Sequence, residues 1–95
     1  MSAPVRVRVQ LPPILRAVSG GARTLDAQGR SIAAVLADIA KRYPPLALHF
    51  FDEAGAIRPN IVFLHDGAMI RARDAAARQL KPGDEIVITN ALAGG

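Results

Sequence analysis

Apolar and charged residues alternate from the start of the chain. Val5, Val7, Val9 and Leu11 stand at one parity, with Arg6, Arg8 and Gln10 at the other. That period of two predicts a strand with one apolar and one charged face. Pro12 and Pro13 each remove a ladder donor and end it. The segment "ILRAVSGGARTLDAQG" then reads as a loose hairpin, with Gly20-Gly21 as its turn and a second strand from about Ala22 to Ala27.

Ser31 sits just before "IAAVLADIAKRY", where Ile32, Val35, Leu36 and Ile39 recur at helical spacing. Ser is a good N-cap, Gly29 breaks the preceding strand, and Lys41 and Arg42 place cations at the carbonyl end. Pro44-Pro45 stops this helix. "LALHFF" is either a helical turn or a buried loop segment. "NIVFLH" is apolar at both parities, as in a strand covered on both sides. Asp66-Gly67 marks a hairpin turn into a short return strand, "AMIRA". Pro82-Gly83 occupies the centre of a type II turn in "LKPGDE", which launches the last strand, "EIVITN".

The order is strand, strand, helix, strand, short strand, strand. One helix covers one face of such a sheet, so the fold class is α+β. The sheet is expected to be mixed, because the helix-containing connection allows the first and last strands to lie parallel at its centre. Residues 1–90 form the expected domain, and 91–95, "ALAGG", a loose tail.

Composition narrows the chemistry. The 95 residues contain no cysteine, which removes disulfides, thiolate zinc sites and a cysteine nucleophile. The opening lacks a secretory leader's apolar run and no segment is long enough to span a membrane, so a cytoplasmic protein is expected. Net charge is +4, but the arginines are scattered and aromatic residues make up only 4%. A solvated basic surface is favoured over a nucleic-acid site.

His49 and His65 fit no metal-ligand spacing and read as turn or boundary residues. Asp52-Glu53 and Asp84-Glu85 fall in turns and point apart, so turn and capping roles suit them better than acid–base work. Gly20-Gly21 lacks the lysine and the following helix of a phosphate loop. No triad can be assembled. This is the inventory of a carrier or binding protein, not of an enzyme.

Gly94-Gly95 stands apart, because it is the chain's end and lies a few residues past a strong strand. Five extended residues reach about 17 Å, enough to thread a terminal carboxylate into another protein's active site. Glycine has no side chain to block a narrow channel and adopts whatever backbone angles the channel imposes. The element order, "LKPGDEIVI" and the terminal "GG" resemble the ubiquitin-like sulfur carriers of the MoaD/ThiS family over essentially the whole chain. "LPPILRAVSGG" and the long stretch between helix and third strand are most similar to its CysO-like subgroup, which carries sulfur for cysteine synthesis.

The resemblance implies a β-grasp fold and no cofactor bound by this chain. It also implies an ATP-dependent, E1-like activating enzyme as partner. That enzyme adenylates Gly95, sulfur transfer leaves a C-terminal thiocarboxylate, and a sulfur-accepting biosynthetic enzyme is the second partner. Gly94 and Ala93 would be the slim residues that thread the channel. Val62, Leu64 and Val87, pointing away from the helix and flanked by Arg6 and Arg8, form a candidate docking face. "LALHFF" or a second copy of the chain are the competing covers for that face. Two other functions remain open: a protein modifier joined through Gly95 to lysines, and a non-covalent β-grasp module binding RNA or protein.

Overall fold

The computed structural model describes residues 5–90, with Asn90 described by its backbone. Ala93, Gly94 and Gly95, expected to carry and thread the reactive end, lie outside the described residues. The elements are β1 (Arg6–Gln10), α1 (Pro13–Arg16), β2 (Thr24–Gln28), α2 (Ile32–Arg42), α3 (Pro44–Phe50), β3 (Ile61–His65), β4 (Ala68–Arg71) and β5 (Glu85–Asn90), with a 3-10 turn at Ala72–Asp74. They build one five-stranded sheet in the order β2-β1-β5-β3-β4.

The sheet is mixed, as the element order predicts. β1 runs antiparallel to β2 and parallel to β5, and β3 runs antiparallel to both β5 and β4. The alternation of β1 sends Val7 and Val9 into the core and leaves Arg6 and Arg8 exposed. Ile61, Phe63, Ile86 and Ile88 join them from β3 and β5. Against this layer α2 sets Ile32, Val35, Leu36 and Ile39, all buried. Each buried aliphatic side chain of this kind contributes about 1.5–3 kcal/mol relative to exposure, so this stripe, more than helix propensity, holds α2 in place.

Local signals account for the boundaries. Ser31 caps α2, its hydroxyl accepting from the Ala34 N–H at 3.2 Å. Asp66 and Gly67 both have positive φ, 53° and 77°, the two-residue turn that matches strand twist. Gly83 has φ 86° and the Asp84 N–H donates to the Lys81 carbonyl at 3.1 Å, which closes the Pro-Gly turn ahead of β5.

One expectation is corrected, and two that hold prove to do more than expected. The link from β1 to β2 contains a helical turn, α1, because Pro12 and Pro13 preset the φ of a helix start; β2 therefore begins at Thr24 and not at Ala22. Pro44 and Pro45 end α2 and also start α3, since proline is well suited to a first turn. "LALHFF" thereby resolves as a helix, and Leu46 and Phe50 pack into the same core cluster as α2. Gly29 does more than break a strand. A Cβ there would lie 2.6 Å from the Val35 nitrogen and 2.9 Å from the Ala34 carbonyl carbon, so only glycine lets β2 pass this close to α2.

The outer margin of β2 is closed by α2. Asp38 accepts from the Gln28 N–H at 3.0 Å, and Arg42 donates to the Asp26 carbonyl at 2.6 Å while pairing with Asp38. Side chains of the helix thus occupy backbone groups that a foreign strand would need.

Gly29→Ala is expected to lower unfolding free energy by about 1–3 kcal/mol through overpacking, and Ser31→Ala by about 1 kcal/mol through loss of the cap. Urea titration checks both. A neutral Gly29→Ala would show that the approach of strand to helix is slack.

Candidate functional site

The site begins with the root of the tail. β5 is the middle strand, held by β1 along Glu85–Val87 and by β3 along Ile86–Asn90. β5 is thus paired on both sides at Ile86–Val87 and by β3 alone at Ile88–Asn90. The parallel ladder stops at the Gln10–Val87 pair. In a parallel ladder the next bonds would run from the N–H of residue 12 to the Ile88 carbonyl, and from the Asn90 N–H to the carbonyl of residue 12. Residue 12 is proline and has no N–H, and its carbonyl accepts from the Leu15 N–H at 3.0 Å inside α1.

The result is a groove of about 550 Å³ between α1 and the last half of β5, its lining mostly apolar and including Pro12, Pro13, Ile14, Arg16, Val87 and Thr89. Ile14 stands on its rim with 66% of its surface exposed. The Arg16 Nε donates to the Leu11 carbonyl at 3.3 Å, which anchors the guanidinium near the groove.

The sheet face opposite the helices carries the candidate docking residues. Register places Asp26, Arg8 and Glu85 side by side, then Gln10, Val87, Leu64 and Met69 in the adjacent row. Arg6 and Arg8 are exposed and Val87 is half-buried. Leu64 is 39% exposed and Met69 70%. Val62 differs from the expectation of an available patch residue. Only 3% of its surface is exposed, because its cross-strand neighbours Thr89 and Arg71 stand on either side of it. α3 leaves this face open, since its Leu46 and Phe50 lie in the core cluster.

At the opposite end of β5 lies a polar cluster that sequence reading missed. The His65 Nε2 bonds the Asp84 Oδ2 at 2.7 Å, and the Arg78 Nε donates to His65 Nδ1 at 2.8 Å. A guanidinium can only donate, so Nδ1 is an acceptor and the ring proton belongs on Nε2, pointing at Asp84. Arg78 also donates to the His65 carbonyl at 3.3 Å. Asp84 accepts from the Lys81 N–H at 2.9 Å.

That backbone bond, and then the bond from His65, hold the Asp84 carboxyl below its ordinary value of 3.8 against an opposing effect of burial. The cluster ties the end of β3 to the turn that starts β5. The Pro-Gly-Asp turn hinted at a capping role for Asp84, but nothing near His65 in sequence points to Arg78. Among the described residues no group of three His, Asp or Glu side chains is placed to hold a metal ion, and no helix is long and apolar enough to cross a membrane.

A mixed five-stranded sheet with its first and last strands parallel at the centre and one principal helix across one face defines the β-grasp, ubiquitin-like class. The chain belongs to the ThiS family, whose model matches residues 9–95. The Mycobacterium tuberculosis protein named sulfur carrier protein CysO is 27% identical over 93 residues, covering 96% of this chain and all of that protein. The crystal structure of the Amycolatopsis orientalis BexX/CysO complex contains a chain at TM-score 0.77 and 25% identity, with 94% of this chain and 99% of that one covered. The small archaeal modifier protein 1 of Methanosarcina acetivorans superposes at TM-score 0.78 with 25% identity, over 99% of this chain and all of the other.

The depressed pKa of Asp84 sets the sign of an acid-stability effect. Its contribution is fully present above the unfolded-state value of 3.8 and is lost as pH falls through the lower folded-state value. Asp84→Asn is therefore expected to lower stability at neutral pH and to flatten the loss of stability below about pH 4, as read by urea unfolding at a series of pH values. Identical acid limbs in the two proteins would refute it.

Proposed function

We propose that this protein is a sulfur carrier whose working group is the carboxylate of Gly95. The observation that carries the reading is the Gly94-Gly95 pair, the fourth and fifth residues past the central strand, included in the family match that runs to residue 95. The name sulfur carrier protein attached to its CysO relative points the same way.

The chemistry explains why the tail is short and bare. A carboxylate is a poor acceptor for sulfur because its leaving group would be oxide. An E1-like activating enzyme would join the Gly95 carboxylate oxygen to the α-phosphorus of ATP and release pyrophosphate. A sulfur nucleophile at the oxidation level of sulfide would then attack the carbonyl carbon and expel AMP, leaving a thiocarboxylate. Electrostatic stabilisation of the developing charge belongs to that enzyme. The carrier supplies reach, about 17 Å over five residues, and a chain end whose last two residues have no bulk. A sulfur-accepting biosynthetic enzyme would then take the sulfur. The BexX/CysO complex is a case in which a similar chain is held by another protein.

A second reading has its own support, because the small archaeal modifier proteins share this fold closely. In that reading the same activated Gly95 is joined to lysines of other proteins, and isopeptide-linked adducts in lysate would distinguish it.

Deleting Gly94 and Gly95 is expected to abolish pyrophosphate release by an activating enzyme that uses the intact chain. Gly94→Val is expected to lower kcat/KM by about tenfold or more through misplacement of the carboxylate. Turnover that survives the deletion would overturn the reading.

A further inference from the structure

We infer that the groove beside α1 is the seat of an extended segment from the activating enzyme, added as a strand to the margin of β5 that β1 leaves open. The inference rests on the carrier reading and names how the partner holds the carrier.

Four observations carry it. β3 pairs β5 as far as Asn90, whereas β1 pairs it only as far as Val87, so the Ile88 carbonyl and Asn90 N–H have no ladder partner from β1, and Ile88 lines the groove. Pro12 makes that vacancy permanent, because it lacks a donor and its acceptor is taken up by Leu15. The sheet's edge strands are β2 and β4, and at the β2 edge helix side chains occupy the Gln28 N–H and the Asp26 carbonyl. The vacancy is lined with apolar surface from Pro12, Pro13, Ile14 and Val87.

Tail length identifies the occupant. The tail leaves from Asn90 and spans about 17 Å at most, so an enzyme that brings Gly95 into its active site must place its surface over the mouth of this groove. Charge sets the occupant's chemistry. Arg16 is the ionisable residue of the lining and the chain carries a net charge of +4. The fitting segment is extended, apolar where it crosses Ile14, and acidic where it meets Arg16. Backbone pairing supplies the registration, and the side-chain contacts supply the selectivity.

The test uses an activating enzyme that adenylates the intact chain, with pyrophosphate release as the readout. Ile14→Lys changes an exposed residue outside the core cluster. It is expected to raise the KM for the carrier about tenfold or more and leave kcat within about twofold, the signature of lost docking. Arg16→Glu is expected to do the same and to weaken the salt dependence of KM. Hydrogen exchange at the Asn90 amide is expected to slow at least tenfold when the carrier lacking Gly94-Gly95 binds the enzyme, a change that side-chain docking alone would not produce.

Unchanged KM for Ile14→Lys together with unprotected Asn90 overturns the inference. So does a KM that rises with Met69→Lys on the open sheet face and not with Ile14→Lys. Failure of the unmutated chain to be adenylated strikes the carrier reading itself, and this inference falls with it.

Discussion

The parallel pairing of β1 with β5 is the constraint on which the rest depends. It forces a long connection, which the chain fills with α1, β2, α2, α3, β3 and β4 in turn. It also makes β5 the middle strand, held on both sides by backbone bonds and buried through Ile86 and Ile88. The direction in which the chain leaves the fold is therefore set by the ladder and not by a mobile loop.

Pro12 gives the same constraint a limit. By ending the ladder two residues after Gln10, it turns β1 into α1 and leaves half of β5 with one neighbour. That half, Ile88–Asn90, is held by β3 alone. A residue that reads in sequence as a strand terminator thus also shapes the groove beside the last half of β5.

Much of this was legible in the residue pattern. Alternation in β1, the Ser31 cap and the stripe of Ile32, Val35, Leu36 and Ile39, and the Asp66-Gly67 and Pro82-Gly83 turns are local signals, and local geometry follows them. The parallel placement of the outer sequence strands followed from connection length. What escaped was set by contacts between residues far apart in the chain. α1 and α3 begin at prolines, which mark an end as readily as a beginning. Val62 alternates correctly toward the open face but is hidden by its neighbours on β4 and β5. His65 meets Arg78 and Asp84 only through tertiary structure. Several of the ionisable side chains serve edges and turns: Asp38 and Arg42 on β2, Asp84 and Arg78 around His65, Asp52 on the Ala54 and Ala56 amides.

Intact-mass measurement of the chain after incubation with its activating enzyme, ATP and a sulfide-level sulfur donor tests the account most directly. It predicts a mass increase equal to the replacement of one oxygen by one sulfur, localised by fragmentation to Gly95 and dependent on ATP. An unchanged mass under conditions in which the enzyme consumes ATP with this chain, or sulfur found anywhere but Gly95, would contradict it.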